Sequence, residues 1–371
     1  MVPEKLPYWI GFSKVPGIGP TRLRALLDYY GDIEQAWLAD LGELRAIGLD
    51  KRSVENLARV RPSLDLEFEL KKLDEHQVSV LTWEDEAYPK LLKTIYNPPI
   101  VLYIRGQLTA QDDWALAVVG TRRATVYGKE CTRTLVRGLV ENKLTIVSGL
   151  AYGIDTEAHR TAVEVGGRTI AVLGSGVDVI YPAENRKLSQ AIIEQGSVIS
   201  EYPLGTKPEG GNFPYRNRII SGLSLGTLIV EGAIQSGARI TADNALEQGR
   251  EVFAVPGSIL SKGSAGPNYL IKNGAVMVTH VNDILEELNL MMIAQQTEAR
   301  SIIPENDVEA ILLAQLSAEP LHVDDLGAAT HLSAAEIAST LTIMELKGIV
   351  RQVGGMNYIL AREKSVQYVV E

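Results

Sequence analysis

Four segments of this chain could hold an anion. GTRRATVYG (120–128), GLAYGID (149–155), GSGVD (174–178) and GAIQSGARITA (232–242) each follow a short apolar run directly. Glycine lets a phosphate approach backbone N–H groups closely, and a helix starting just beyond the turn adds its dipole. Gly120, Thr121, Arg122, Gly149, Leu150, Gly174 and Ser175 are therefore candidates for a phosphate track. Any βα turn can require a glycine for its geometry alone. Several in register, one with adjacent arginines, favour an extended anion-binding surface. A guanidinium at 122 or 123 can reach over the strand ends for bidentate contact with a phosphate, or lay its stem on a helix with its head in water. Arg122 is the expected pocket residue and Arg123 a peripheral one.

A second constellation is NFPYRNRIISG (212–222). Pro214 at a helix start would leave Phe213 just outside, exposed at the rim beside Arg216, Asn217 and Arg218. An aromatic on which bases stack, with cations holding the backbone, is the equipment of a sequence-tolerant single-strand binder. The plainer alternative makes Phe213 a helix staple and pairs Arg218 with Glu231 or another acid. Neither Arg122 nor Arg216 is expected in the core. In GIDTEAHR, Asp155, Glu157 and His159 suggest acid–base work, but Asp155 near a helix start and His159 four residues on better suit capping and orientation. Glu231, ending an apolar run, orders loops or serves catalysis in a hydrolase. Tyr127, Tyr152 and Tyr181 are read as partly packed. The single cysteine, Cys131, forms no internal disulfide, and no Cys/His cluster has zinc spacing. No metal or cofactor is expected.

These residues need a frame. The runs ALAVV (115–119), LTIVS (144–148), TIAVL (169–173), SVISE (197–201), TLIVE (227–231), EVFAV (251–255) and AVMVT (275–279) alternate with helical spacing. Near-continuous apolar strands alternating with helices imply an α/β domain, a Rossmann-like parallel sheet covered on both faces. Ligands of such sheets sit beyond the strands' carboxyl ends. Residues 1–80 read as a helical domain in which PGIGP (16–20) is a helix-hairpin-helix turn or a plain packing turn. The connector 81–110, with Pro98 and Pro99 and the strand IVLYI, belongs to the α/β domain 81–290. A polar linker (291–303) precedes a winged-helix-like domain (304–371) of three helices and a hairpin. The helix there that would enter a DNA groove carries Glu336 and Glu345, which phosphates repel, so this domain reads as an interaction or regulatory module.

At 371 residues, with 46% apolar and 22% charged side chains, the chain is an ordinary globular sequence of more than one domain. Its net charge of −10 is unevenly spread: residues 1–80 hold 11 basic and 13 acidic groups, 81–303 hold 21 and 23, and 304–371 hold 4 and 10. The middle can therefore concentrate arginines in one pocket despite the acidic total. The opening MVPEKLPYWIGF lacks a basic region followed by a long apolar run. No apolar stretch reaches the roughly 18 residues of a membrane span. A cytoplasmic protein without a membrane partner is expected.

GTRRATVYG, SGLAYGIDTEAH, VLGSGVDVIYPAEN, FPYRNRIISGLS and GARITADNALEQGREVFAVPGS, in this order, resemble the signature series of the DprA/Smf family from about residue 88 to 288. The resemblance implies a protein without catalytic activity that binds single-stranded DNA on its Rossmann-like domain and dimerises through it. It also implies contact with the RecA recombinase during natural transformation. By motif, the pocket would use Gly120, Arg122, Gly149, Gly174, Ser175, Phe213, Arg216 and Asn217. Two departures stand out: KPEGGN before Phe213 lacks a basic residue close to the ring, and Arg239 stands where an aliphatic residue is usual. A fainter similarity links GTLIVEGA to nucleoside-monophosphate phosphoribohydrolases, but Glu231 lies four residues after Thr227 rather than three, and the PGG of that motif is absent.

Overall fold

The computed structural model describes residues 5–290, 306–316, 321–330, 332–346, 350–353 and 356–360. Two units separate, Met1–Leu288 and Asn289–Glu371. The expected linker 291–303 lies outside the described residues.

The first unit is built on a 9-stranded sheet: β1 (Ser79–Thr82), β2 (Val101–Gly106), β3 (Ala115–Val119), β4 (Thr145–Ser148), β5 (Thr169–Val172), β6 (Ser197–Ser200), β7 (Gly226–Ile229), β8 (Glu251–Ala254) and β9 (Val276–Met277). Their order is β1-β2-β6-β5-β4-β3-β7-β8-β9. All neighbours from β6 to β9 run parallel, while β1–β2 and β2–β6 are antiparallel. Every residue of β3 to β7 is buried, as continuous apolar strands covered on both faces require. From β3 the chain progresses through β4 and β5 to β6, then returns to the other side of β3 for β7 and β8. The order reverses between β3 and β7, which makes a crevice at their carboxyl ends.

The N-terminal helices pack on the antiparallel edge. Trp9 meets Trp83 edge-on at 5.9 Å, and the Ser13 hydroxyl lies 3.0 Å from that of Tyr103 on β2. Apolar side chains of both segments share one core, so the boundary expected at 80 falls inside β1. β1 itself escaped the sequence reading because SVLT is short and half-exposed. Aspartates at 32, 40, 50 and 65 cap successive helices by accepting first-turn amides. The PGIGP turn docks on one of these helices: Asn56 Nδ2 donates to the Pro16 carbonyl at 2.7 Å and Ser53 Oγ to that of Gly17 at 3.3 Å.

The second unit has helices Asp307–Gln315, Val323–Thr330 and Ala334–Leu346. Its sheet holds β10 (Leu321–His322), β11 (Val350–Gln352) and β12 (Asn357–Leu360) in the order β10-β12-β11. Leu312, Leu326, Ile337, Leu341 and Met344 close its own core. This is the winged-helix arrangement. The two glutamates of its third helix have structural work: Glu336 accepts from the Ser333 hydroxyl at 2.6 Å, and Glu345 from the Gln352 amide at 3.0 Å.

Candidate nucleic-acid interface

The crevice between β3 and β7 opens into a cleft of about 470 Å³. Gly120 to Arg123 line it from the loop after β3. Phe213, Pro214, Arg216 and Asn217 contribute from helix Asn212–Gly222, and Ser236 to Ala238 from the start of helix Gly237–Glu247. Three arginines and one carboxylate, that of Asp155, face this space. Arg122 and Arg123 are exposed and have no ion-pair partner among the described residues. Both therefore line the cleft, and Arg123 is less peripheral than its sequence position suggested. Asn217 Nδ2 donates to the Gly237 carbonyl at 3.2 Å and ties the two helix starts together.

Phe213 forms the mouth. It is the second residue of helix Asn212–Gly222 and half-buried, rather than outside the helix as expected. The Arg122 guanidinium lies 5.7 Å from its ring centroid and the Tyr181 ring 5.6 Å from it, tilted by 37°. Tyr181 is 45% exposed, so the sequence reading missed a second aromatic at the rim. Gly174 sits beneath the phenyl ring: a β-carbon there would stand 3.0 Å from Phe213 Cδ1, so the ring is seated on a position bare of side chain.

The expectation of bare glycine-loop amides is not met at the turns after β3 and β4. The Gly149 amide donates to Asp155 Oδ2 at 3.1 Å, and its carbonyl accepts from Arg216 Nη1 at 2.9 Å. Leu150 is fully buried with φ 56°, and its carbonyl accepts from Asn185 Nδ2 at 3.0 Å. After β3, the Thr121 amide donates to the Glu231 carbonyl at 2.6 Å and the Thr125 amide to Glu231 Oε2 at 2.9 Å. Ser175 is buried, its hydroxyl donating to the Val179 carbonyl at 2.7 Å. These contacts tie the Gly149–Leu150 turn and the Ser175 hydroxyl into the frame behind the cleft. The open anion-attracting features are elsewhere. Helices Asn212–Gly222 and Gly237–Glu247 start without a side-chain cap or an acidic residue in the first turn. By contrast, Thr125 caps helix Val126–Glu141, and Asp155 and Glu157 occupy the first turn of helix Ile154–Glu164.

Arg216 corrects a second expectation. It is only 4% exposed and belongs to the core, with a further hydrogen bond to the Val172 carbonyl. Burial pulls its guanidinium down to about 10, with repulsion from Arg122 in the same direction and the Asp155 carboxylate opposing. Burial likewise raises Asp155. It holds His159 down to about 3, a neutral ring whose Nδ1 pairs with the Thr169 hydroxyl at 2.7 Å. Asp155 orders the Gly149 turn, whereas the N-cap of its own helix is Gly153. The cluster is a polar support under the cleft, with Arg216 as its floor.

Arg218 points to the opposite side of its helix and is claimed by Glu201, with two contacts of 2.7 Å. Arg218, a candidate DNA ligand, thus follows the plainer alternative, an ion pair with an acid, which is Glu201. Arg239 bonds Asp243 on its own helix at 2.7 Å. Glu231 is buried, absent from the cleft lining, and committed to the loop after β3. It orders neighbouring loops.

Known proteins share this architecture. Residues 79–289 match the family of DNA recombination-mediator protein A, and residues 296–356 match the DprA winged helix domain. Protein Smf of Synechocystis sp. is 37% identical over 400 residues, covering 96% of this chain and 99% of that protein. The X-ray structure of DNA processing protein A from Streptococcus pneumoniae superposes with a TM-score of 0.68 at 38% identity, covering 76% of this chain and 97% of that one. DNA processing protein A from Helicobacter pylori, solved for its single-stranded DNA binding mode, gives a TM-score of 0.52 at 32% identity, covering 59% of this chain and 97% of that one. With its signature segments lining or supporting one cleft and its matches spanning both units, this chain belongs to the DNA recombination-mediator protein A family, DprA/Smf.

Proposed function

We propose that the chain binds single-stranded DNA in the cleft between β3 and β7 and acts there as a recombination mediator. Acting as a homodimer, it delivers the strand to the RecA recombinase during DNA uptake. The observation that carries the binding reading is Phe213 at the cleft mouth, flanked by Arg122 and Tyr181, above a floor made by Arg216. A base can stack on the rings while the guanidinium groups and the two uncapped helix starts attract the phosphates. No base-reading set of side chains is required, which suits strands of any sequence. The kinship with the Helicobacter pylori protein supports the same reading. Family membership supports the delivery step.

The test is a titration of fluorescent oligo-dT with unlabelled oligo-dT, duplex and AMP as competitors. The account expects displacement by single strands and far weaker displacement by duplex or AMP. Equal competition by duplex overturns it. For delivery, the chain should accelerate RecA filament formation on strands coated with single-strand-binding protein; an unchanged rate removes that part alone.

A further inference from the structure

Helix Asn212–Gly222 has a second side. Across Pro214, which borders both spaces, lies another cleft of about 490 Å³. Tyr96, 88% exposed, and Tyr215, 46% exposed, line it together with the amide-bearing residues Asn97 and Asn244. Arg218 organises this space. Its guanidinium lies 3.9 Å from the Tyr215 ring centroid, grips Glu201 with two contacts of 2.7 Å, and donates through Nε to the Asn97 carbonyl at 3.0 Å. One arginine thereby backs the Tyr215 ring and fixes the segment that carries Tyr96. Its charge is answered by Glu201, and Glu247 adds a further carboxylate to the lining. Among the described residues that line it, the cleft has no cation to spare for a phosphate. Exposed aromatic rings beside amides instead suit unstacked nucleobases, whose faces stack on tyrosine and whose edges hydrogen-bond with amides.

We propose that this second cleft receives the bases of nucleotides adjoining those held in the first, so that one strand crosses the Pro214 ridge with Tyr96 and Tyr215 as stacking residues. The inference rests on the single-strand reading and extends it. Arg218 then acts as a positioning residue for two tyrosines, not as a phosphate ligand.

The experiment compares the affinities of the full chain for a short oligo-dT of about 4 nucleotides and a long one of about 16. Tyr96→Ala and Tyr215→Ala should each lower the long-to-short affinity ratio by about fivefold or more. Tyr96→Phe and Tyr215→Phe, which keep the rings, should restore it. Arg122→Ala should weaken both lengths. An unchanged ratio in both alanine variants, with Arg122→Ala still weakening both lengths, overturns the second cleft while leaving the first. Failure of Arg122→Ala to weaken either length overturns the single-strand reading and the extension with it.

Discussion

Arg122 and Arg216 look equivalent in sequence and are physically different residues. Arg122 is exposed, without an ion-pair partner among the described residues, beside an aromatic ring. Arg216 is buried, with its hydrogen bonds spent on the Gly149 and Val172 carbonyls. Removing a buried cation leaves those carbonyls without donors and the Asp155 carboxylate without its opposing charge. Arg216→Ala should therefore cost about 3 kcal/mol of folding stability, measured by urea denaturation. Any loss of DNA affinity should appear only alongside that destabilisation. A variant as stable as the parent would show that the guanidinium does not support the fold. Sequence alone cannot make this distinction, because whether an arginine is buried depends on what its loop or helix lies against. Here the glycine at 149 decides, since a β-carbon there would collide with the Arg216 guanidinium.

Two helix starts converge on the cleft, and each is left uncapped by the protein itself. An unsatisfied first turn costs stability but attracts anions. Ser236→Asp should separate these effects. The carboxylate would cap helix Gly237–Glu247, adding about 0.5–1 kcal/mol to stability. The same charge at the cleft wall would repel phosphate, weakening oligo-dT binding by about fivefold or more at low salt. Thermal melts and anisotropy titrations read the two signs. A loss of both stability and affinity would contradict the account of this helix end. At this scale the sequence was legible where apolar runs were long and unbroken: β3 to β8 fall within a residue or two of the runs that announced them. β1 was not legible, because its edge position relaxes the apolar pattern. The loops after β3 and β4 were legible as glycine-rich but not as occupied. That Asp155 reaches back to the Gly149 amide, and Glu231 across to the Thr125 amide, follows from the packing of neighbouring strands. Tyr181 was invisible for the same reason, since its proximity to Phe213 is a contact between distant loops.

Across the whole molecule, charge is partitioned rather than balanced. Residues 304–371 hold 4 basic and 10 acidic groups, and their unit has its own core. The glutamates on the helix that would otherwise face a DNA groove are used for capping and for tying in β11. Deleting residues 304–371 should leave oligo-dT affinity within about twofold, because the residues that line the cleft belong to the first unit. Loss of binding on that deletion, in a sample still folded by circular dichroism, would assign the tail a direct part in the complex. On the proposed reading, the first unit needs no excess of positive charge to bind DNA. It concentrates three arginines against one carboxylate where the order of the strands reverses.

The most direct check of that claim is the salt dependence of oligo-dT affinity for the parent chain and for Arg122→Ala. Each phosphate neutralised on a single strand contributes a slope of about −0.7 in log K against log salt. The account predicts at least about tenfold weaker binding by the variant at low salt, or about 1.4 kcal/mol. Its line should also be shallower by about one phosphate's worth, with an unchanged melting temperature. Coincident lines for the two proteins would contradict it.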